Sequence, residues 1–206
     1  LRIIRLRVIR LGMNKAQKQL LDTYFRKRKM GVEIGRMDYN RYELVYLMAN
    51  DKKIDFGKLN AENIVWVLRH YPQKIDEVDL KKLRKQTPKI KRILVDHPSF
   101  YDRLNAELNL TAEFDGRDIS MLLIDAPELI NKLDTTKLQG YALTDVIVYN
   151  PGLVPILAER GNLDSLIMKN VRDILATHPD LLPYFEEHIR SHNAMFNINN
   201  VNDIIK

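Results

Sequence analysis

The 206 residues contain no cysteine, which excludes disulfides, thiolate metal ligands and cysteine nucleophiles. No stretch approaches the roughly 18 apolar residues a membrane-spanning helix needs, and 45% apolar with 29% charged residues is ordinary for a chain that builds a core. The net charge of +6 is unevenly placed: residues 1–36 hold eleven Lys/Arg against two Asp/Glu, a balance of +9, and the remainder balances at −3.

The apolar residues of Leu1 to Gly12 fit neither a clean alternation nor a helical stripe, and the segment is too short and too arginine-rich for a transmembrane helix. It reads as a basic tail or a strand docked on a partner, ahead of a targeting peptide; Met13 could be an initiator. A helix is predicted next, with Asn14 and Gln17 as a capping box and Gly31 as its stop. Leu20, Leu21, Tyr24 and Phe25 form its apolar face. Arg26, Lys27, Arg28 and Lys29 fall at its C-terminal end, where cations complement the helix dipole. They are the candidate anion-binding residues, through which residues 1–36 could meet a phosphate backbone.

From Met37 a repeat sets in, first in degenerate form with Leu44, Leu47 and Met48, and Lys52 where a proline is expected. The regular units align on Pro72, Pro98, Pro127, Pro151 and Pro179. Positions −8, −5 and −4 from each proline are aliphatic in all five: Ile64, Val67 and Leu68; Ile90, Ile93 and Leu94; Ile119, Leu122 and Leu123; Leu143, Val146 and Ile147; Val171, Ile174 and Leu175. Spacings of three and four put these on one helical face. The proline ends each helix, because the residue before it is pushed out of the helical region. Asn60 and Thr87 are predicted N-caps, with Pro88 at the first helical position.

Beyond each proline comes an apolar pair: Phe100/Leu104, Leu129/Leu133, Leu153/Leu157 and Leu181/Phe185. Three junctions then share a signature: Asp55 to Leu59, Asp79 to Leu83 and Asp134 to Leu138, each Asp-x-x-Lys-Leu. The Asp is expected to cap a short turn whose Leu points into the core. The linker from Leu104 to Asp118 is longer, and its Leu108, Leu110 and Phe114 predict an extra turn. Pro183 reads as an interruption, Tyr184 to His192 as a final capping helix, and residues 193–206 as a polar tail.

A unit of about 26 residues written aliphatic-x-x-aliphatic-aliphatic-x-x-x-Pro, with its Asp-x-x-Lys-Leu junction, resembles the short leucine-rich helical repeats of bacteriophage and bacterial proteins. It is also similar to the proline-containing repeats of mitochondrial transcription termination factors, whose units are longer. The first resemblance implies an all-α solenoid and an assembly or virion component. The second implies a helical nucleic-acid binder, which should carry Lys/Arg throughout its repeats; here the basic residues concentrate in residues 1–36.

Candidate chemistry is sparse. His97 and His178 precede their prolines and His70 sits two before Pro72, so all three read as helix-end residues that bond the last carbonyls. His188 and His192 lie four apart but lack the internal glutamate of a zinc-protease helix. Asp115 to Asp118 reads as a turn and helix cap, without calcium-loop spacing. No serine-nucleophile elbow, phosphate loop or paired carboxylate stands out. Trp66, at −6 where other units have Arg92, Met121, Asp145 and Asp173, is either a packing plug or a partner-binding anchor. Tyr101, Tyr141 and Tyr149 are further partner-binding candidates.

The expectation is an all-α protein: a basic arm and helix over 1–36, a solenoid of about six helical repeats over 37–192 and a polar tail over 193–206. Its expected function is that of a non-enzymatic scaffold for protein–protein interaction or assembly, without cofactor, metal or membrane span, cytoplasmic or virion-associated. The alternative is nucleic-acid binding through residues 1–36.

Overall fold

The computed structural model describes Arg41, Leu44, Leu47, Met48 and residues 54–196, with side chains through Ser191. The expected helix over 14–31, the Arg26–Lys29 cluster, Lys52, the side chain of His192 and residues 197–206 lie outside the described residues. Every element among the described residues is helical. The chain divides into two compact units, Leu1–Arg84 and Lys85–Lys206.

In the first unit, a 3-10 turn (Phe56–Lys58) leads into α1 (Ala61–His70), followed by turns Pro72–Lys74 and Leu80–Leu83. Asn60 caps α1 as expected, its Oδ1 accepting from Asn63 N at 2.9 Å. Leu44, Leu59, Ile64, Val67, Leu68, Leu80 and Leu83 are buried. Leu47 and Met48, in the degenerate repeat, are only partly buried.

The second unit opens at Lys85, which has a positive φ of 60°. It runs α2 (Thr87–Asp96), α3 (Tyr101–Leu108), α4 (Leu110–Glu113), α5 (Gly116–Asp125), α6 (Gly140–Tyr149), α7 (Val154–Glu159), α8 (Met168–Thr177) and α9 (Leu182–Phe196). The ten-residue helices α2, α5, α6 and α8 pack in that order, each against the next. Thr87 is the first helical residue and not the cap; Gln86 occupies that place without a side-chain capping bond, its Oε1 accepting from Lys89 Nζ instead. The extra turn predicted in the long linker is α4, set off from α3 by Asn109 in the left-handed conformation, with Leu108, Leu110 and Phe114 buried. Pro183 does not interrupt: it sits in the first turn of α9, where its missing N–H has no intrahelical partner to lose. The helix then runs four residues beyond His192, into the segment read as polar tail.

All fifteen aligned aliphatic positions are exposed by 1% or less. Burying each such side chain contributes roughly 1.5–3 kcal/mol. The residue before each anchor proline adopts one conformation throughout. Tyr71, His97, Ala126, Asn150 and His178 have φ between −131° and −140° and ψ between 66° and 75°. Each also donates its N–H to the carbonyl four residues back, at 2.7–2.8 Å. The helix is thus closed before the proline starts a 3-10 turn in a new direction.

Among the described residues no single helix is long and apolar enough to cross a membrane. The pair Gly140–Tyr149 and Pro151–Glu159 passes on length and composition, but is bent by 112° and buries Leu143, Val146, Ile147, Val154 and Leu157 in the core.

Candidate interaction surface

The bonds that fix one repeat on the next define what is left for the outside. Asp79 and Asp134 cap their junction turns as expected, accepting from Lys81 N and Thr136 N at 3.2 Å. The hydroxyl of Thr136 also donates to Asp134, and chiefly for that reason the Asp134 carboxyl is held below its usual range. Asp55 makes no such cap and pairs with Lys58 at 3.3 Å.

The junction lysine does something the signature alone did not reveal. Lys82 Nζ donates to the Gly57 and Leu59 carbonyls at 2.6 and 2.8 Å. Lys137 Nζ donates to those of Thr111 and Phe114 at 2.6 and 2.9 Å. Leu59 and Phe114 each immediately precede the N-cap of a helix, so both lysines grip equivalent points 23 residues upstream. The contact is close: a Cβ on Gly116 would lie 2.2 Å from the Lys137 carbonyl oxygen. A fourth junction, Asn162–Ser165 with buried Leu163 and Leu166, escaped the pattern because Asn162 replaces Asp and no lysine follows. There Asn162 Nδ2 bonds the Thr135 carbonyl instead, at 2.6 Å.

At the other end of the helices, the slot before the proline also reaches across. Asn150 Nδ2 donates to the Leu123 and Ile124 carbonyls at 3.0 and 3.1 Å, and His178 Nε2 to Val148 O at 2.8 Å. The sequence pointed to bonding of helix-end carbonyls, but these belong to the preceding repeat. Arg160 adds bonds to Ile130 O and Asn131 Oδ1, both at 2.8 Å. His70 instead bonds its own helix, at Trp66 O.

With −8, −5 and −4 buried, positions −10, −6 and −2 form the outward stripe, successive members one turn apart. In the second unit it comprises Pro88, Arg92 and Asp96 on α2, and Arg117, Met121 and Asp125 on α5. On α6 it continues as Tyr141, Asp145 and Tyr149, and on α8 as Lys169, Asp173 and Thr177; all twelve are exposed. Tyr141 and Tyr149, singled out from sequence, lie here, 60% and 68% exposed. Lys169 Nζ donates to the Tyr141 hydroxyl at 3.0 Å and stands 5.5 Å from its ring centre; that bond chiefly raises the lysine's pKa. Met121, 48% exposed, was not among the sequence candidates, though its −6 position marked it.

Tyr101 is a correction: only 3% exposed, with its hydroxyl 3.5 Å from Thr111 Oγ1, it belongs to the core. It starts α3 immediately after the proline turn and shares that helix's buried face with Leu104 and Leu108. Trp66 is half-buried, stacked on His70 at 4.8 Å between ring centres and tilted against Tyr71 at 5.9 Å. It is packed within its own repeat. Arg26, Lys27, Arg28 and Lys29 are outside the described residues. Among the described residues no three His, Asp or Glu side chains converge as metal ligands. The geometry defines a class, a helical array with a fixed inside and a variable outside. Comparison with family models, curated proteins and solved structures gives no match for this chain.

Proposed function

We propose that the repeats continue as an α-solenoid of about six units and that the protein is a non-enzymatic scaffold, mediating protein–protein interaction or assembly. A phage or virion structural component is the specific version the repeat resemblance suggests. One observation carries the reading: Lys82, Lys137, Asn150, Asn162 and His178 each bond the backbone of the preceding repeat, while the twelve outward positions mix basic, acidic, aromatic and apolar residues. Stacked repeats of this kind present extended surfaces to partners. Its exposed Met121, Tyr141, Tyr149, Arg92 and Arg117 are of the residue types enriched where proteins meet.

The charge balance of +9 in residues 1–36 favours a second reading, nucleic-acid binding through that segment. Affinity capture from source lysate with and without nuclease separates the two. The scaffold reading expects stoichiometric protein partners, or further copies of this chain, that survive nuclease. Recovery that vanishes with nuclease, and with Ala at Arg26, Lys27, Arg28 and Lys29, establishes the second.

A further inference from the structure

Across the second unit the outward stripe forms a grid of levels. From α2 to α8 the −10 level reads Pro88, Arg117, Tyr141 and Lys169. The −6 level reads Arg92, Met121, Asp145 and Asp173, and the −2 level Asp96, Asp125, Tyr149 and Thr177. Bonds between neighbouring helices keep the levels in step. Lys91 at −7 meets Asp118 at −9, and Asn150 at −1 meets Leu123 and Ile124 at −4 and −3. Lys169 meets Tyr141 at −10 on both helices. Arg92 shares its level with Asp145 and Asp173, so the face fits no partner of a single charge.

The face fits itself. A second copy turned by half a revolution about an axis parallel to the helices, between α5 and α6, keeps every level and reverses the helix order. Arg92 then meets the partner's Asp173 at both edges. Arg117 meets the partner's Tyr141, whose ring face attracts a guanidinium, and stands one turn from the partner's Asp145. Asp125 meets the hydroxyl of the partner's Tyr149, and Met121 comes between the partner's two tyrosines, a contact its sulfur favours. No like charges face each other on the grid. On the turns beyond the prolines, exposed Glu128 falls opposite Gly152 and Asp180 opposite Ser99. Arg172, at −7, lies on the α9 side of its helix, as Lys91 at −7 lies on the α5 side of its own. An axis running across the helices would instead stack Arg92, Asp145 and Asp173 each on itself.

We infer that the outward face of α2, α5, α6 and α8 pairs with the same face of a second copy, α2 against α8 and α5 against α6. Such a contact is isologous and closed, so it stops at two copies. With helices about 8–10 Å apart and rising about 1.5 Å per residue, the pair buries about 1,200 Å² in total, the lower end for a specific interface. The pairing rests on the assembly reading and names a second copy of this chain as the occupant.

Sedimentation velocity of the full chain over a micromolar concentration series tests it. The parent should pass from monomer to dimer and grow no further. Arg92→Asp alone, or Asp173→Arg alone, sets like charges together at both edges and should weaken association roughly tenfold or more. The double variant restores opposite charges and should associate within about threefold of the parent. Within one chain α2 and α8 stand about 24–30 Å apart, beyond the screening length of about 8 Å, so the recovery reports a contact between copies. It also shows that neither substitution acts by unfolding the chain. Single variants as strong as the parent, or a double variant as weak as the singles, overturn the pairing. Growth past two copies overturns the closed dimer. A parent that stays monomeric at every concentration overturns the self-contact, and lysate capture then decides separately whether a scaffold for other proteins survives.

Discussion

The two faces of the ten-residue helices obey opposite rules. On the inside, fifteen aligned positions accept only Leu, Ile and Val, and each is exposed by 1% or less. On the outside, the −6 position alone is Trp66, Arg92, Met121, Asp145 and Asp173 in turn. A stacked repeat must present the same apolar surface to each neighbour, because no unit can bury its stripe alone. Nothing imposes uniformity on the solvent side, so what varies there is free to serve recognition.

The sharpest break of this contrast is an inside truncation. Ile93→Ala or Leu122→Ala should cost about 2–5 kcal/mol, read as a fall in the urea midpoint. Gly116→Ala comes next, although it adds only one methyl. Its Cβ would meet the Lys137 backbone at 2.2 Å, so α5 or the junction must shift, at about 1–3 kcal/mol. That effect should shrink if the junction turn is loosened by Asp134→Ala.

The bonds between repeats are smaller. Asn150→Ala, which frees the Leu123 and Ile124 carbonyls, should cost about 1–2 kcal/mol. Lys137→Met, which keeps the stem and loses two bonds, should cost about 1 kcal/mol. Because both side chains act across units, amide exchange should quicken in the upstream helix and not only around the substitution.

The smallest effect is a titration. Asp134 has its folded pKa lowered, so its contribution is present above the ordinary carboxylate pKa and is lost as pH falls through the lowered value. The carboxylate is largely exposed and its effect on stability should be slight. The check is a carbon-detected titration, in which Thr136→Val returns the Asp134 pKa toward its ordinary value. An unmoved pKa would deny the Thr136 hydroxyl its part.

How far the chain could be read beforehand follows from the same contrast. The helices and their stops were legible because aliphatic spacing and proline act within a few residues. The Asp caps were legible for that reason too, since Asp134 bonds Thr136 two residues on. The partners of Lys82, Lys137, Asn150 and His178 were not, because they lie 23 to 30 residues away and depend on how units stack. Tyr101 was misplaced because the pairing of Phe100 with Leu104 hid its own place on the face of Leu104 and Leu108, three and seven residues on, with which it is buried. Met121 and the rest of the outward stripe emerge only once the inward positions are known and the remaining face can be assembled across four helices.

The most direct measurement takes two consecutive residues of one helix. Leu122 faces inward at 0% exposure and Met121 outward at 48%. Equilibrium unfolding and sedimentation are measured side by side for Leu122→Ala and Met121→Ala. Leu122→Ala should lose about 2–5 kcal/mol of stability and still associate wherever it remains folded. Met121→Ala should stay within about 0.5 kcal/mol of the parent in stability and associate more weakly. A Met121→Ala chain that associates like the parent, or a Leu122→Ala chain as stable as the parent, would contradict the proposed division of the repeat into an inside that folds and an outside that recognises.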